Sequence, residues 1–176
     1  MTTALSRRDG RTLCLSSVDS HGAVIECRAA ADVGERMWHY RIRHQVFVVE
    51  QGVFAGSDLD RHDLRPNVVH GIAVYRGAYV GTVRFFPLNP DTGLWQGDRL
   101  AVLPQYRTAG IGSPLVRFAV AAAAALGGQR MIAHVQLANV RFFERLGWRR
   151  SGEVETYVGL PHQPMTIALA PPADTE

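Results

Sequence analysis

The sequence predicts a mixed α/β fold with a mixed sheet, and three observations carry that prediction. Apolar residues at helical spacing fill residues 33–49 and 112–126, while β-rich segments bounded by Gly, Pro, Asn and Asp occupy the stretches between. Their order is strand, helix, three successive strands, then strand and helix in alternation, which combines an antiparallel meander with a crossover. The 176 residues suit one domain with a sizeable core.

Residues 1–22 are polar and aperiodic and are expected to form a flexible leader, with the domain running over 23–170 and a tail over 171–176. The first strand is expected at 24–28. In the helix over 33–49 the apolar positions are Val33, Met37, Tyr40, Ile42, Val46, Phe47 and Val49, and Asp32 is a fitting cap. Residues 52–67 read as a loop rich in carboxylates. Strands at 68–75 and 79–88 form a hairpin around Arg76-Gly77-Ala78, and a turn at 89–93 leads to a third strand over 94–103. Pro104 breaks that strand, and an alanine-rich helix over 112–126 stops at Gly127-Gly128. A strand over 130–135, a helix over 138–146 ended by Gly147, and strands at 148–151 and 165–169 complete the chain.

Hydrophobic residues at 47% and charged residues at 20% exclude an intrinsically disordered chain. The net charge of +3 suits a small anionic ligand better than nucleic acid, because no block of like charge forms a basic patch. Cys14 and Cys27 fit neither a disulfide framework nor a zinc site. No apolar run approaches the roughly 20 residues of a membrane span, and no signal peptide is legible, so a cytoplasmic location with no membrane partner is expected.

The segment that carries chemistry is Leu100-Ala101-Val102-Leu103-Pro104-Gln105-Tyr106-Arg107-Thr108-Ala109-Gly110-Ile111-Gly112, directly before the long helix. A helix N-terminus offers unpaired N–H groups and partial positive charge, and glycines at 110 and 112 let a phosphate approach them. The loop lacks the lysine of a Walker motif and the spacing of a dinucleotide fingerprint. A tight strand-to-helix turn has the same bare pattern, so physics alone leaves both readings open.

The sequence Leu-Ala-Val-x-Pro-x-x-Arg-x-x-Gly-Ile-Gly closely resembles the acetyl-CoA loop of the GNAT N-acetyltransferase superfamily, and Phe142-Phe143-Glu144-Arg145-Leu146-Gly147-Trp148 resembles the family's FYEKLGF segment. Arg43 to Gln51, His134-Val135-Gln136 and Gly159 to Met165 narrow the resemblance to the ElaA-like branch. The resemblance implies the GNAT fold: a mixed, mostly antiparallel twisted sheet of about six to seven strands with helices on both faces. It implies acetyl-CoA as cosubstrate, no metal, and direct transfer to a primary amine of a small molecule or peptide by a monomer or homodimer.

Carried over by motif, Leu100, Ala101, Val102 and Leu103 would hold the pantetheine and acyl carbonyl, and Arg107, Thr108, Ala109, Gly110, Ile111 and Gly112 the pyrophosphate. Asn139 and Phe143 would also touch the cofactor, and Phe47 the acceptor. Phe143 stands where the family has a tyrosine proposed as general acid, and a phenyl ring donates no proton. That departure keeps a non-catalytic CoA-binding module open beside an enzyme, and Arg43 to Phe47 also resembles acyl-homoserine-lactone synthases. Glu50, His134 and His162 are the candidates for the base. Each has a bland alternative: Glu50 as a cap or a partner of Arg43, His134 as a hydrogen-bonded core residue, His162 as an exposed loop side chain. Asp58, Asp60, His62 and Asp63 form an acidic cluster that reads as a solvated loop or an attractor for a cationic amine. Arg84 would meet a carboxylate on the acceptor.

Overall fold

The computed structural model describes residues 4–8 and 12–170, so the expected tail lies outside the described residues. The strands are β1 Ala4–Arg8, β2 Thr12–Val18, β3 Val24–Ala29, β4 Val69–Tyr75, β5 Ala78–Asn89, β6 Leu94–Val102, β7 Arg130–Gln136, β8 Arg149–Arg150, β9 Glu155–Tyr157 and β10 Leu160–Ala168. They form one sheet in the order β1-β2-β3-β4-β5-β6-β7-β10-β8, with β9 also paired to β10. Every pairing is antiparallel except β6 with β7. The helices are α1 Val33–Arg43, α2 Gly112–Ala125 and α3 Val140–Arg145.

The sheet is wider than the expected six to seven strands for two reasons. Residues 4–8 and 12–18, expected to be part of a flexible leader, form β1 and β2, where β2 pairs with both β1 and β3 and inserts Leu15 into the main core. Residues 155–168 form a hairpin through a turn at Val158-Gly159, both at positive φ. β10 carries Pro161 and Pro164, and Pro164 lies opposite the gap between β8 and β9, where the edge ladder is interrupted.

Alternation along the strands assigns the two helical layers. Gly71, Ala73, Val83 and Phe85 face α2: a Cβ on Gly71 would lie 3.1 Å from the Phe118 ring. His70 and Arg84 face the layer of α1, where His39 packs 4.9 Å from His70 between ring centroids. The core centred on Phe85, Phe118, Leu115 and Met131 therefore lies under α2. A smaller cluster, Ile42, Val46, Phe47 and Ala101, lies under α1.

Asp32 caps α1 as expected, accepting from the Glu35 N–H. The expected helix over 33–49 changes character at His44, where residues 44–50 continue as a π-helical stretch. Such wide turns are rare and recur at functional sites. This one turns Phe47 onto Phe54 and Ala101 at the end of β6.

Candidate active site

The parallel pairing of β6 with β7 is brief. It is restricted to Leu94 with Arg130, Trp95 with Met131 and Gln96 with Ile132, after which the strands part. β6 also carries a bulge: Thr82 pairs with Ala101 and Arg84 with Asp98, so Val83 opposes both Arg99 and Leu100. Arg99 takes φ +52° to make that turn, an uncommon conformation for a side-chain-bearing residue. Splay and bulge together leave the later part of β6 without a strand partner on its β7 side. That unpaired backbone can accept a ligand carrying its own amide groups, in the manner of an added strand.

The gap is a cleft that opens to solvent and is bordered on both sides of the sheet. Toward α1 it meets Phe47, Phe54, Asp98, Arg99, His134 and Tyr157. Toward α2 it meets Val83, Val116, Ala119, Phe143 and Trp148. The buried Trp148 indole N–H finds no partner among the described residues, so an acceptor on a ligand would satisfy it.

The loop after β6 folds as a 3₁₀ turn over Pro104–Ala109, ended by Gly110 at φ +76°. A side chain at 110 would be strained by that φ, although space around it is open. α2 then starts without a side-chain cap, and such an end leaves its first N–H groups available to an anion. Gly112 has an ordinary φ, and a Cβ there would meet Phe142 at 3.4 Å, an ordinary packing contact.

His134, His162 and Asn139 border the cleft, as do Phe143, Phe47 and Leu100. His134 Nδ1 contacts the Glu155 carboxylate, and its ring stacks on Tyr157 at 4.3 Å and 6°. His162 sits in β10 and is 4% exposed, with Nδ1 2.9 Å from the Leu160 carbonyl and an edge-on contact to Tyr157. The expectation of an exposed loop histidine is therefore corrected, because the hairpin ladder encloses it. Tyr157 and Glu155 escaped the sequence reading. Their signal was the Val-Gly turn that follows them, a hairpin mark obscured by the prolines.

Glu50 stands apart from this group. Its carboxylate takes both Nη atoms of Arg107 at 2.7 Å, while Arg107 Nε donates to the Val102 carbonyl. That pairing holds Glu50 below the usual carboxylate range. Neither the cap nor the Arg43 partnership is what the structure contains, and Glu50 does not border the cleft. Arg107 correspondingly turns its fork to Glu50.

Arg84 is the clearest correction. It is fully buried, and its guanidinium binds Asp60 at 2.7 and 2.9 Å, Asp98 at 2.7 and 2.8 Å and Asp63 at 2.9 Å, so it presents nothing to an acceptor. The acidic cluster is likewise neither solvated nor free. Asp58 and Asp63 bind the buried Arg43, and Asp58 and Asp60 bind Arg99. Burial would raise the Asp63 carboxyl, but Arg43 and Arg84 outweigh it and hold it low. Burial pushes His39 well below its ordinary value, with Arg43 and His70 adding to the effect, so its ring is neutral. This lattice clamps the 52–67 segment onto β5 and β6 and fixes the bulge: Arg99 reaches from it to Asp58 and packs 4.7 Å over the Phe54 ring.

The geometry has matches among known proteins. The family model described as Acetyltransferase (GNAT) family matches residues 36–148. The uncharacterized N-acetyltransferase YjcF of Bacillus subtilis (strain 168) is 32% identical over 128 residues, 72% of this chain and 87% of that protein. The solved acyl-CoA N-acyltransferase from Pseudomonas aeruginosa is similar with a TM-score of 0.70 at 25% identity, over 82% of this chain and 98% of that one. Escherichia coli ElaA has the same fold, with a TM-score of 0.70 at 20% identity over 82% and 98% of the two chains.

Proposed function

The chain belongs to the GNAT acetyltransferase family, and on that premise we propose that it transfers an acyl group, acetyl in the simplest case, from a CoA thioester to a primary amine. The acceptor is a small molecule or peptide, and the amine attacks the thioester directly. The observation that carries the reading is the parting of β6 from β7 beside an uncapped α2 N-terminus. One exposes backbone amides for a pantetheine arm, and the other exposes N–H groups for a pyrophosphate.

The protein's part is positioning and polarisation. The pantetheine lies along Leu100 to Leu103, with Asn139 and Phe143 bordering the same cleft. His134 is the base: an incoming ammonium must lose a proton, and the Glu155 carboxylate beside Nδ1 and the stacked Tyr157 ring hold the imidazole in place. His162 and Tyr157 form the wall against which that ring is held. Glu50 fixes Arg107 at the loop and takes no proton from the acceptor. With Phe143 lacking a hydroxyl, the departing thiolate is protonated by solvent or by another group of the cleft.

The test is thiol release from acetyl-CoA with a panel of amines. Turnover that Gly110→Glu abolishes supports the reading. Stabilisation by CoA without turnover on any amine supports a non-catalytic CoA-binding module instead. If CoA neither binds nor stabilises the protein, both readings fail.

A further inference from the structure

The cleft is polar at its mouth and apolar at its rear. β6 and β7 pair only as far as Gln96 and Ile132, and Gly97 is the first residue of β6 beyond that join. A Cβ there would lie 3.2 Å from the Met131 sulfur, so Met131 packs close against the bare backbone of Gly97, and both residues line the cleft. Past Gly97 the cleft continues against Val83 of β5, Val116 and Ala119 of α2 and Ala133 of β7, all of them core side chains. Asp98, Arg99, His134 and Tyr157 lie on the opposite, α1 side.

An aliphatic recess of this kind gives nothing to a hydrated amine or a phosphate. It rewards buried carbon, at about a fourfold gain in affinity for each methylene that leaves water. An acetyl group brings a single methyl to the point where the strands part and leaves the recess beyond Gly97 unfilled. We propose that the recess between Gly97, Val83, Val116 and Ala119 takes the alkyl part of an acyl group longer than acetyl. The preferred donors are then acyl-CoA thioesters of more than two carbons. This rests on the reading of the cleft as the thioester site. It concerns the donor alone and leaves the acceptor side of the mouth unchanged.

The experiment needs no acceptor. Calorimetric titration compares CoA with S-ethyl-, S-butyl- and S-hexyl-CoA, which cannot transfer, on the wild-type chain and on Ala119→Leu. Affinity is expected to rise about fourfold per methylene over the first carbons past ethyl and then level off. Ala119→Leu, filling the recess, is expected to flatten that rise, and Gly97→Val is a second obstruction should the first variant lose its fold by circular dichroism. Equal binding of CoA and all three analogues overturns the inference and leaves the cofactor reading standing. A rise that persists in a folded obstructing variant places the alkyl chain elsewhere and also overturns it. Failure of CoA itself to bind removes the cofactor reading and the inference with it.

Discussion

Replacing Arg43 by methionine is expected to destabilise the protein by about 3 kcal/mol. The side chain is fully buried and donates to Asp58 Oδ2 at 2.7 Å, to the two Asp63 oxygens at 2.6 and 3.1 Å and to the Asp58 carbonyl at 3.2 Å. Removing one partner of a buried ion pair costs about 3 to 5 kcal/mol, because the other charge stays behind without its counterion. Here the lower end applies. Asp58 retains Arg99 at 3.0 Å and Asp63 retains Arg84 at 2.9 Å, so neither carboxylate is abandoned. Methionine refills much of the volume, which keeps the cavity contribution small. The assay is urea denaturation at neutral pH with a thermal melt beside it, where about 3 kcal/mol corresponds to a fall of about 6 to 12 °C. Arg43→Met with Asp63→Asn in one chain should cost less than the sum of the two single changes, since the second removes a charge the first leaves exposed to repulsion. A loss under about 1 kcal/mol for Arg43→Met, or strict additivity in the double variant, would refute the view that these arginines and aspartates form one clamp.

Other consequences are equally direct. Glu35 is pulled down to about 2, chiefly by its hydrogen bonds from Arg28 at 2.5 and 2.6 Å, from an ordinary value of 4.5. Its contribution of about 3 kcal/mol is present above pH 4.5 and drains away as pH falls toward 2, so urea midpoints of Glu35→Gln should lose that part of the acid dependence. Glu50→Gln breaks an exposed pair and should change stability by no more than about 1 kcal/mol. Because Arg107 holds Glu50 ionised, the variant should also leave the pH profile near neutrality in place, and loss of an acid-side limb there would reinstate Glu50 as a base. His134→Ala should lower kcat/KM by about 10² to 10⁴ and remove that limb. Glu155→Gln should cause a smaller loss, and unchanged kcat/KM in both variants would remove the proposed base.

Much of the frame was legible because its signals are local. Helical spacing fixed α1 and α2, the Asp32 cap fixed where α1 begins, and Gly127 fixed where α2 stops. The hairpin of β4 and β5 followed from Arg76-Gly77, both of which take positive φ. Two elements were hidden for physical reasons. β2 has only the short apolar run Leu13-Cys14-Leu15 and takes its strand character from pairing with β3, and β10 carries Pro161 and Pro164, which mark a turn or loop when read along the chain alone.

What the sequence alone determined is the order of elements and the position of the glycine loop before α2, since both depend on residues near one another in the chain. The tertiary structure decided which charges meet. Arg84 reads along the chain as a strand residue free to face a substrate, yet the return of the 52–67 segment and the bulge at Arg99 place Asp60, Asp63 and Asp98 around it. Glu50 and Arg107, 57 positions apart, are joined because the π-helical turn and the end of β6 converge. The cleft itself exists because β6 and β7 part after three paired positions, a property of how two distant strands pack that neither strand's sequence contains.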